Sequence, residues 1–260
     1  MSADYILYEK VDSIAKITLN RPDVLNSFCR PMALQMQDAL RDAADDKTVR
    51  AIFITGNGRA FCAGQDLEEA TSEDGPELQN IVKEHYNPII RQIREVEKPV
   101  VCAVNGVAAG AGANIALACD FVLAAQAASF IQAFSKIGLI PDSGGTFFLP
   151  RLVGMQRATA LTMLGTRVSA QEAVAMGMIY QAIENDNLQD EAMALATKLA
   201  AMPTKGLGLT KRALNASWSN DLTEQLNVEE ALQTEAGSTY DYQEGVNAFL
   251  EKRKPVFKGE

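Results

Sequence analysis

The stretch KPVVCAVNGVAAGAGANIALACDFVLAA, residues 98–125, places a strand, a loop, a helix and a second strand in succession. Residues 99–104 are apolar and rich in β-branched side chains, which predicts a buried strand. Small residues at 105–109 predict a loop, followed by a helix over 110–119 and another strand over 121–125. Strands that alternate with helices are typical of the α/β class.

The rest of the chain extends this pattern in both directions. A chain of 260 residues is long for one domain, but α/β domains often reach this length. We therefore predict a core over residues 1–200 and a helical C-terminal region over residues 201–260. Further strands are predicted at 5–11, 14–19, 49–55 and 178–183, and mainly helical segments at 31–44, 68–96 and 154–250.

The composition restricts the function. A net charge of −9 opposes a role in binding nucleic acid, which needs clustered Lys and Arg. We find neither an apolar run long enough for a bilayer nor a secretion leader, so we expect no membrane partner and a cytoplasmic protein. One histidine and four dispersed cysteines do not supply a usual set of metal ligands. We expect no metal, and buried, reduced thiols.

Two glycine-bearing loops follow predicted strands, at 55–66 and 105–114. Each would leave backbone N–H groups free at the carboxyl end of a sheet, where α/β proteins bind ligands. Two converging N–H groups would form an oxyanion hole for a thioester enolate. Small residues used only for close strand–helix packing explain either loop equally well. A dinucleotide fingerprint is not matched, because Ile115 stands where the third glycine of GxGxxG belongs.

Asp142 lies in the stretch IPDSGGT, residues 140–146, between a predicted strand end and a helix that begins near Gly144. As an N-cap or turn residue, it would be purely structural. In an apolar pocket, its pKa would rise and it would serve as a proton shuttle. The candidate walls of that pocket are Phe134, Ile140, Phe147 and Phe148.

Two features outside these loops carry weaker signals. The sole histidine, His85, has polar neighbours in a predicted helix, so we expect it at the surface or in a lid. No GxSxG motif accompanies it, which disfavours a serine hydrolase. The acidic stretch 68–77 contains Gly75 and Pro76 and is expected to be a mobile connection, a candidate lid over a ligand.

Four motifs resemble those of the enoyl-CoA hydratase/isomerase (crotonase) superfamily, and they occur in the same order over nearly the whole chain. The resemblance implies an α/β fold built as a spiral of ββα units, with a helical C-terminal trimerisation region. It further implies an acyl-CoA thioester substrate, no cofactor beyond the substrate's own coenzyme A, and a homotrimer or a hexamer of two trimers. The motifs are FCAGQDL at 61–67, AVNGVAAGAG at 103–112, IPDSGGT at 140–146 and FLEKR at 249–253.

The resemblance also implies roles for single positions. Gln65 and Ala111 match the residues whose N–H groups form the oxyanion hole. Phe249 and Lys252 match residues that contact the nucleotide of coenzyme A from a neighbouring subunit, although a packed helix explains that pair equally well. The other substrate-binding positions are Leu25, Ala63, Asp66, Leu67, Gly110, Asn114 and Phe134.

The departures from the family pattern are informative. Hydratases carry two glutamates, one to activate water and one to protonate the α-carbon, and this chain has Asn114 and Phe134 at those positions. Neither side chain transfers the required proton. Asp142 stands where hydratases commonly have glycine. One carboxylate suits an isomerase, because the proton taken from one carbon is returned to another.

Within the superfamily, the chain resembles the ring 1,2-epoxyphenylacetyl-CoA isomerases of phenylacetate catabolism. That resemblance implies conversion of the ring epoxide to oxepin-CoA, and shifts of β,γ- to α,β-enoyl-CoA, with Asp142 as the proton carrier. Two alternatives stay open: another crotonase reaction such as hydration, and a non-catalytic acyl-CoA-binding protein. The stretches that carry the resemblance are GQDL at 64–67, QAFSKIGLIPD at 132–142, GLGL at 206–209 and DYQEGV at 241–246.

Overall fold

The computed structural model describes residues 4–260, and a six-stranded sheet forms its centre. Its strands are β1 Ile6–Val11, β2 Ile14–Leu19, β3 Ala51–Gly56, β5 Val100–Val104, β7 Phe121–Ala125 and β10 Gln181–Ile183. They lie in the order β1-β2-β3-β5-β7-β10, and only β1 and β2 pair antiparallel. Every residue of β3 and β5 is buried, as expected for parallel strands covered on both faces.

A second sheet has four short strands. They are β4 Ala60–Cys62, β6 Val107–Ala109, β8 Ser129–Ile131 and β9 Arg167–Ser169, in that spatial order. The first three pair in parallel. Along the chain, β3 precedes β4, β5 precedes β6 and β7 precedes β8, so each turn of the chain adds one strand to each sheet. The spiral of repeated units that the resemblance predicts is therefore confirmed.

Helices fill the space around the sheets. Helix α9 lies against β3, β5 and β7, and α5 lies against β4 and β6. A π-helical turn, Ile81–Tyr86, joins α3 to α4 without a break. The helices are α1 Arg30–Asp45, α2 Leu67–Thr71, α3 Leu78–Asn80, α4 Asn87–Glu95, α5 Ala111–Ala118, α6 Gly145–Val153, α7 Met155–Leu164, α8 Ala170–Ala175, α9 Leu188–Ala200, α10 Thr204–Ala216, α11 Leu222–Gly237 and α12 Tyr240–Glu251.

Four local predictions differ from the structure. The predicted loop at 55–66 contains strand β4. The predicted loop at 105–109 contains strand β6, because three small residues pair with both neighbours in the second sheet. The predicted strand at 178–183 is limited to β10, since Met178 and Ile179 lie in the turn after α8. The segment that leads to Asp142 is not a strand: the 3₁₀ helix Ala133–Ile137 is followed by residues without regular secondary structure.

The exposure of the cysteines and of His85 tests two further predictions. All four cysteines are free thiols and buried, as predicted. His85 is completely buried, so its predicted surface position is wrong. It lies on the π-helical turn beside α1, where Gln37 Nε2 donates to the carbonyl of His85 at 3.1 Å. Among the helices within residues 4–260, none is both long and apolar enough to cross a membrane.

The C-terminal helices are attached to the core at the amino ends of the central strands. Arg50, just before β3, donates to the carbonyls of Met202 and Phe257 and to Thr204 Oγ1. Asp120, just before β7, accepts Lys211 Nζ at 2.8 Å and Arg94 at 3.0 Å. These polar contacts leave the opposite, carboxyl ends of the strands to the two glycine-bearing loops.

Candidate active site

The first glycine-bearing loop continues from β4 and is held by the segment that precedes α1. Phe28 N–H donates to the Gly64 carbonyl at 2.7 Å, and Asp66 N–H donates to the Phe28 carbonyl at 2.9 Å. This is a short parallel bridge between Phe28 and Gln65. In an extended chain, successive N–H groups point to opposite sides. The Gln65 N–H therefore points away from Phe28.

The second loop leads from β6 into α5. Gly110 has φ +53° and ψ −127°, a conformation suited to glycine, and its N–H donates to the Ile131 carbonyl at 2.8 Å. Ala111 is the first residue of α5, so its N–H has no partner within the helix. The positive end of the α5 dipole adds to the attraction of this N–H for a developing negative charge.

The two loops touch each other. A Cβ atom placed on Gly64, which has φ +96°, would lie 3.6 Å from the Ala111 nitrogen and 3.0 Å from the Ala109 carbonyl oxygen. Within residues 4–260, neither the Gln65 N–H nor the Ala111 N–H has a hydrogen-bond acceptor. The structure thus brings two free donors to one place. The glycines also serve close packing, since a Cβ on Gly112 would lie 2.5 Å from the Cys62 carbonyl oxygen, and such packing is compatible with two free donors.

Asp142 lies in a turn whose backbone is held in unusual conformations. Ser143 has φ +50° and Gly144 has φ +74° before α6 begins. The Asp142 carbonyl accepts the N–H of Gly145 at 2.8 Å, and one carboxylate oxygen accepts Ser143 Oγ at 2.8 Å. Left-handed backbone at a non-glycine residue such as Ser143 is strained and is found mainly at functional sites.

Asn114 fixes this turn to α5. Its Nδ2 donates to the Asp142 carbonyl at 2.8 Å, and its Oδ1 accepts Gln132 Nε2 at 2.8 Å. Asn114 is completely buried. The amide was predicted to bind substrate, but both of its polar atoms are engaged with the protein. Asn114 therefore connects the second loop to Asp142.

Burial raises the pKa of the Asp142 carboxyl above its ordinary value of 3.8, while the hydrogen bond from Ser143 opposes part of this shift. Within residues 4–260, no Lys or Arg forms an ion pair with this carboxylate. A carboxylate in such surroundings is a stronger base than an exposed aspartate. A stronger base suits the proton carrier that the sequence predicts.

Two of the four predicted apolar walls are present. Phe134 is buried, and its Cζ would lie 3.7 Å from a Cβ placed on Gly110, so the ring borders the second loop. Phe148 is buried against Gly144. Ile140, in contrast, is 79% exposed, and Phe147 turns outward to Trp218, with ring centroids 5.0 Å apart. These two residues do not close the pocket within the single chain.

The residues predicted around coenzyme A are partly engaged in the fold. The Leu25 carbonyl accepts the Ala63 N–H at 3.0 Å, which places the Leu25 turn beside the first loop, as expected. The Asp66 carboxylate pairs with Arg21 at 2.9 Å and accepts the Glu68 N–H at the start of α2. Leu67 is more than half exposed. Leu67 is thus the most exposed residue of this motif.

Phe249 and Lys252 are not brought to the loops within one chain. Phe249 is 82% exposed near the end of α12. The tail after α12 bonds to Arg50, at the amino end of β3, through the Phe257 carbonyl. The glycine-bearing loops lie beyond the carboxyl ends. A contact between Phe249 or Lys252 and coenzyme A would have to come from another subunit.

Two residues near the first loop were not recognised from the sequence. Tyr86 is completely buried and donates from its hydroxyl to Gln65 Oε1 at 2.9 Å. Gln65 Nε2 in turn donates to Glu69 Oε2 at 3.1 Å. Nothing in the spacing of Tyr86 or Glu69 signals these contacts, because they depend on the π-helical turn and on the start of α2.

Known proteins share this architecture and order of motifs. The family model of enoyl-CoA hydratase/isomerase matches residues 9–260. The 1,2-epoxyphenylacetyl-CoA isomerase of Escherichia coli is 48% identical over 98% of this chain and 99% of its own. A Rhodobacter capsulatus protein named "Probable enoyl-CoA hydratase" is 46% identical over the full length of both.

A solved structure of an enoyl-CoA hydratase has the same fold as this chain. The crystal structure of an enoyl-CoA hydratase from Bacillus anthracis is 33% identical and superimposes with a TM-score of 0.91, covering 98% of this chain and 100% of that one. The match of motifs, sheets and sequence over almost every residue has one explanation: the chain belongs to the enoyl-CoA hydratase/isomerase (crotonase) family.

Proposed function

We propose that this chain is an isomerase of acyl-CoA thioesters in which Asp142 carries a proton from one carbon to another. One observation supports this most strongly: the half-buried Asp142 is tied by Asn114 to α5, whose first N–H, that of Ala111, is free. By the family resemblance, Asn114 and Phe134 occupy the positions of the hydratase glutamates. The name of the Escherichia coli relative, an isomerase at 48% identity, agrees with this assignment.

The proposed reaction starts at the thioester. The N–H groups of Gln65 and Ala111 donate to the thioester oxygen and stabilise the negative charge that develops there. The Asp142 carboxylate removes the proton from the α-carbon, and the electron pair of that C–H bond moves into the enolate. The protonated Asp142 then returns the same proton to the γ-carbon, and the double bond moves into conjugation. Nothing is gained or lost overall, so no second substrate is needed.

The natural substrate that we propose is ring 1,2-epoxyphenylacetyl-CoA. The epoxide becomes the oxepin when the C–C bond shared by its two rings breaks. The α-proton then leaves to Asp142, the electron pair of that C–H bond enters an enolate extended into the ring, and the proton returns on a ring carbon. The product is an oxepin conjugated with the thioester. Phe134, which is buried and borders the second loop, supplies an apolar contact suited to an acyl group of this kind.

Wild-type protein and the Asp142→Asn variant test the reaction. We expect the wild type to convert 3-enoyl-CoA to 2-enoyl-CoA and to leave crotonyl-CoA in water unhydrated. Asp142→Asn, which keeps the size of the side chain, should lose about two to four orders of magnitude in kcat while binding coenzyme A thioesters normally. Rapid hydration of crotonyl-CoA, or full activity of Asp142→Asn, would refute the proposal.

Hydration is the second candidate, because a relative named as a hydratase is almost as similar as the isomerase. It requires a group that activates water, and the buried amide of Asn114 is already bonded to Asp142 and Gln132. Mass spectrometry of the products formed in D₂O separates the two reactions. Isomerisation changes the mass of the acyl chain only by exchange of single hydrogens for deuterium, whereas hydration adds a whole water molecule.

We further propose that the working form is a homotrimer or a hexamer of two trimers. Support comes from apolar side chains that the single chain leaves exposed on its last two helices, namely Leu222, Leu226, Phe249 and Leu250. Light scattering of the purified protein measures the mass directly. A monomer that retains full activity would contradict both the assembly and the proposed role of Phe249 and Lys252.

A further inference from the structure

We propose that Tyr86 is a positioning residue for the oxyanion donor of the first loop, acting on the Gln65 N–H through the Gln65 side chain. The inference rests on the proposed isomerase function and deepens it, because it assigns a role to a residue that never touches the substrate. Tyr86 is completely buried, and it lies on the π-helical turn rather than on either loop.

The contact is specific in direction. Burial holds the pKa of the Tyr86 phenol well above its ordinary value of 10.0, so the hydroxyl stays protonated and acts as donor. It donates to Gln65 Oε1 at 2.9 Å. The amide of Gln65 must therefore turn its Nε2 to the other side, where it donates to Glu69 Oε2 at 3.1 Å. Both ends of the side chain are held, and one rotamer is selected.

The partners of Gln65 are themselves fixed. Glu69 accepts the N–H of Arg30, the first residue of α1, at 2.9 and 3.1 Å from its two carboxylate oxygens. Gln37, also on α1, donates to the carbonyls of Glu84 and His85 in the π-helical turn at 2.7 and 3.1 Å. Helix α1 thus anchors both residues that hold the Gln65 side chain.

The Tyr86 ring supports the same segment from a second direction. It packs on Phe28, with ring centroids 5.9 Å apart. The backbone of Phe28 forms the bridge on either side of Gln65. Phe28 therefore holds Gly64 and Asp66, the residues on either side of Gln65, and Tyr86 holds the Gln65 side chain. Rotation of the Gln65 peptide, which would turn the oxyanion N–H away from the substrate, breaks the hydrogen bonds of this arrangement.

A π-helical turn explains how a residue of this helix reaches the loop. Such a turn widens the helix, shifts side-chain directions and occurs often at functional sites. The six residues Ile81–Tyr86 adopt it, and Tyr86 is the last of them. A regular α-helix through this segment would change the direction of the Tyr86 side chain relative to α1.

The test compares wild type, Tyr86→Phe and the control Tyr8→Phe. Both substitutions remove one phenol hydroxyl that donates a hydrogen bond, since Tyr8 donates to Asp42 at 2.6 Å on the edge of the sheet. Loss of an oxyanion donor costs about a hundred- to a thousandfold in rate, so a donor that is only loosened should cost about tenfold in kcat. KM and the affinity for a saturated acyl-CoA should change little.

A spectroscopic measurement separates positioning from general destabilisation. The carbonyl stretch of a bound, ¹³C-labelled saturated acyl-CoA reports how strongly the oxyanion hole polarises the thioester. In Tyr86→Phe the stretch should return part of the way towards its frequency in water, and in Tyr8→Phe it should stay at the wild-type position. An unchanged stretch and kcat in Tyr86→Phe would overturn the inference.

A double-mutant cycle gives a second decision. Gln65→Met keeps the length of the side chain but removes both amide contacts, so it should lower kcat at least as much as Tyr86→Phe. In the Gln65→Met background, Tyr86→Phe should cause no further loss, whereas independent effects would add. Additive losses would overturn the inference, and Gln65→Met alone still tests it should Tyr86→Phe fail to fold.

Failure of the inference about Tyr86 can be distinguished from failure of the proposed isomerase function. If the wild type does not isomerise 3-enoyl-CoA, the proposed function fails, and the carbonyl stretch still tests the contact between Tyr86 and Gln65. If the wild type isomerises and Tyr86→Phe behaves as Tyr8→Phe does in both kcat and spectrum, only the inference about Tyr86 is wrong.

Discussion

Asn114 Nδ2 donates to the backbone carbonyl of Asp142 at 2.8 Å, so the residue that starts the second turn of α5 determines where the candidate base is held. The orientation of the amide follows from this contact, because Asn114 Oδ1 must then accept from Gln132. A Cβ placed on Gly145 would lie 2.3 Å from Asn114 Nδ2. Glycine at position 145 lets the amide approach the turn.

Replacement of Asn114 should therefore affect Asp142 without removing any group that transfers a proton. Asn114→Ala leaves Gln132 Nε2 without a partner and the Asp142 carbonyl with only the Gly145 N–H, which should cost about 1–3 kcal/mol of stability. We expect kcat for isomerisation to fall about ten- to a hundredfold as the carboxylate loses its position.

Steady-state kinetics and urea unfolding measure the two effects. The control is Asn185→Ala, which removes an exposed amide whose oxygen accepts the Ala127 N–H at 3.0 Å. Asn114→Asp should be no better than Asn114→Ala, because a carboxylate would face the Asp142 carbonyl. Wild-type kinetics in Asn114→Ala would show that the turn holds its shape unaided.

The pH dependence of kcat/KM should report the environment of Asp142. The base acts only when ionised, and burial raises its pKa above 3.8, so activity should decline as the pH falls through a pKa higher than that of a free aspartate. Ser143 Oγ lowers that pKa by donating to the carboxylate. Ser143→Gly, which suits the φ of +50°, should move the acid limb to higher pH.

The measurement is the initial rate on 3-enoyl-CoA across the acidic range in which the fold persists. The residual rate of Asp142→Asn should show no such limb. An acid limb at the ordinary aspartate value, or one that Ser143→Gly moves to lower pH, contradicts the assignment of the limb to this carboxyl.

Gly64→Ala should separate the two glycine-bearing loops. The added Cβ would lie 3.0 Å from the Ala109 carbonyl oxygen, and a φ of +96° strains any residue other than glycine. We expect kcat to fall by at least about tenfold, because both oxyanion donors lie beside this contact.

The matched control is Gly206→Ala in α10. There the new Cβ has ordinary contacts of 3.9 Å with Pro203, and alanine favours the helix by up to about 1 kcal/mol. Activity of Gly206→Ala should equal that of the wild type and its stability should be equal or higher. Equal kcat values for Gly64→Ala and Gly206→Ala would mean that the two glycine-bearing loops can move apart without loss of activity.

A buried ion cluster at the other end of the sheet should determine stability and not chemistry. Asp120 accepts Lys211, Arg94 and the Val100 N–H, and Lys211 is buried. Asp120→Ala leaves two cations facing each other, which should cost about 3–5 kcal/mol. Glu9→Ala, which breaks the exposed pair with Lys16, should have little effect.

The only tryptophan makes this prediction easy to follow. Trp218 lies with its ring 5.7 Å from the Arg94 guanidinium, so its fluorescence should change when the cluster is lost. Urea unfolding gives the free energy, and the rate per folded molecule should stay near that of the wild type. An Asp120→Ala protein as stable as the wild type would show that the cluster contributes nothing.

Much of the fold was visible in the sequence because its central strands are continuous apolar runs. Strands β3, β5 and β7 and helices α1 and α5 were predicted within about two residues of their bounds. Strands β4, β6 and β8 have three residues each, too few to show a period. The second sheet was therefore expected from the family resemblance alone.

The site was predicted less completely than the fold. Backbone donors follow from loops of small residues, so Gln65 and Ala111 were assigned from their motifs. The side-chain contacts of Asn114 and Tyr86 depend on distances between residues far apart in the chain, which no local pattern records. His85 was misplaced because polar neighbours in the sequence do not reveal that α1 covers the π-helical turn.

The two interleaved sheets fix the spacing of the backbone N–H groups independently of the side chain proposed as the base. Strands β4 and β6 are neighbours, about 4.8 Å apart as in any sheet, and a proposed oxyanion donor follows within three residues of the end of each. The distance between those donors is thus set by the backbone and does not depend on any side chain. The proposed base, Asp142, comes from a later turn of the spiral. If these assignments hold, a change of side chains at that turn alters the reaction, while the backbone donors proposed to bind the thioester stay as they are.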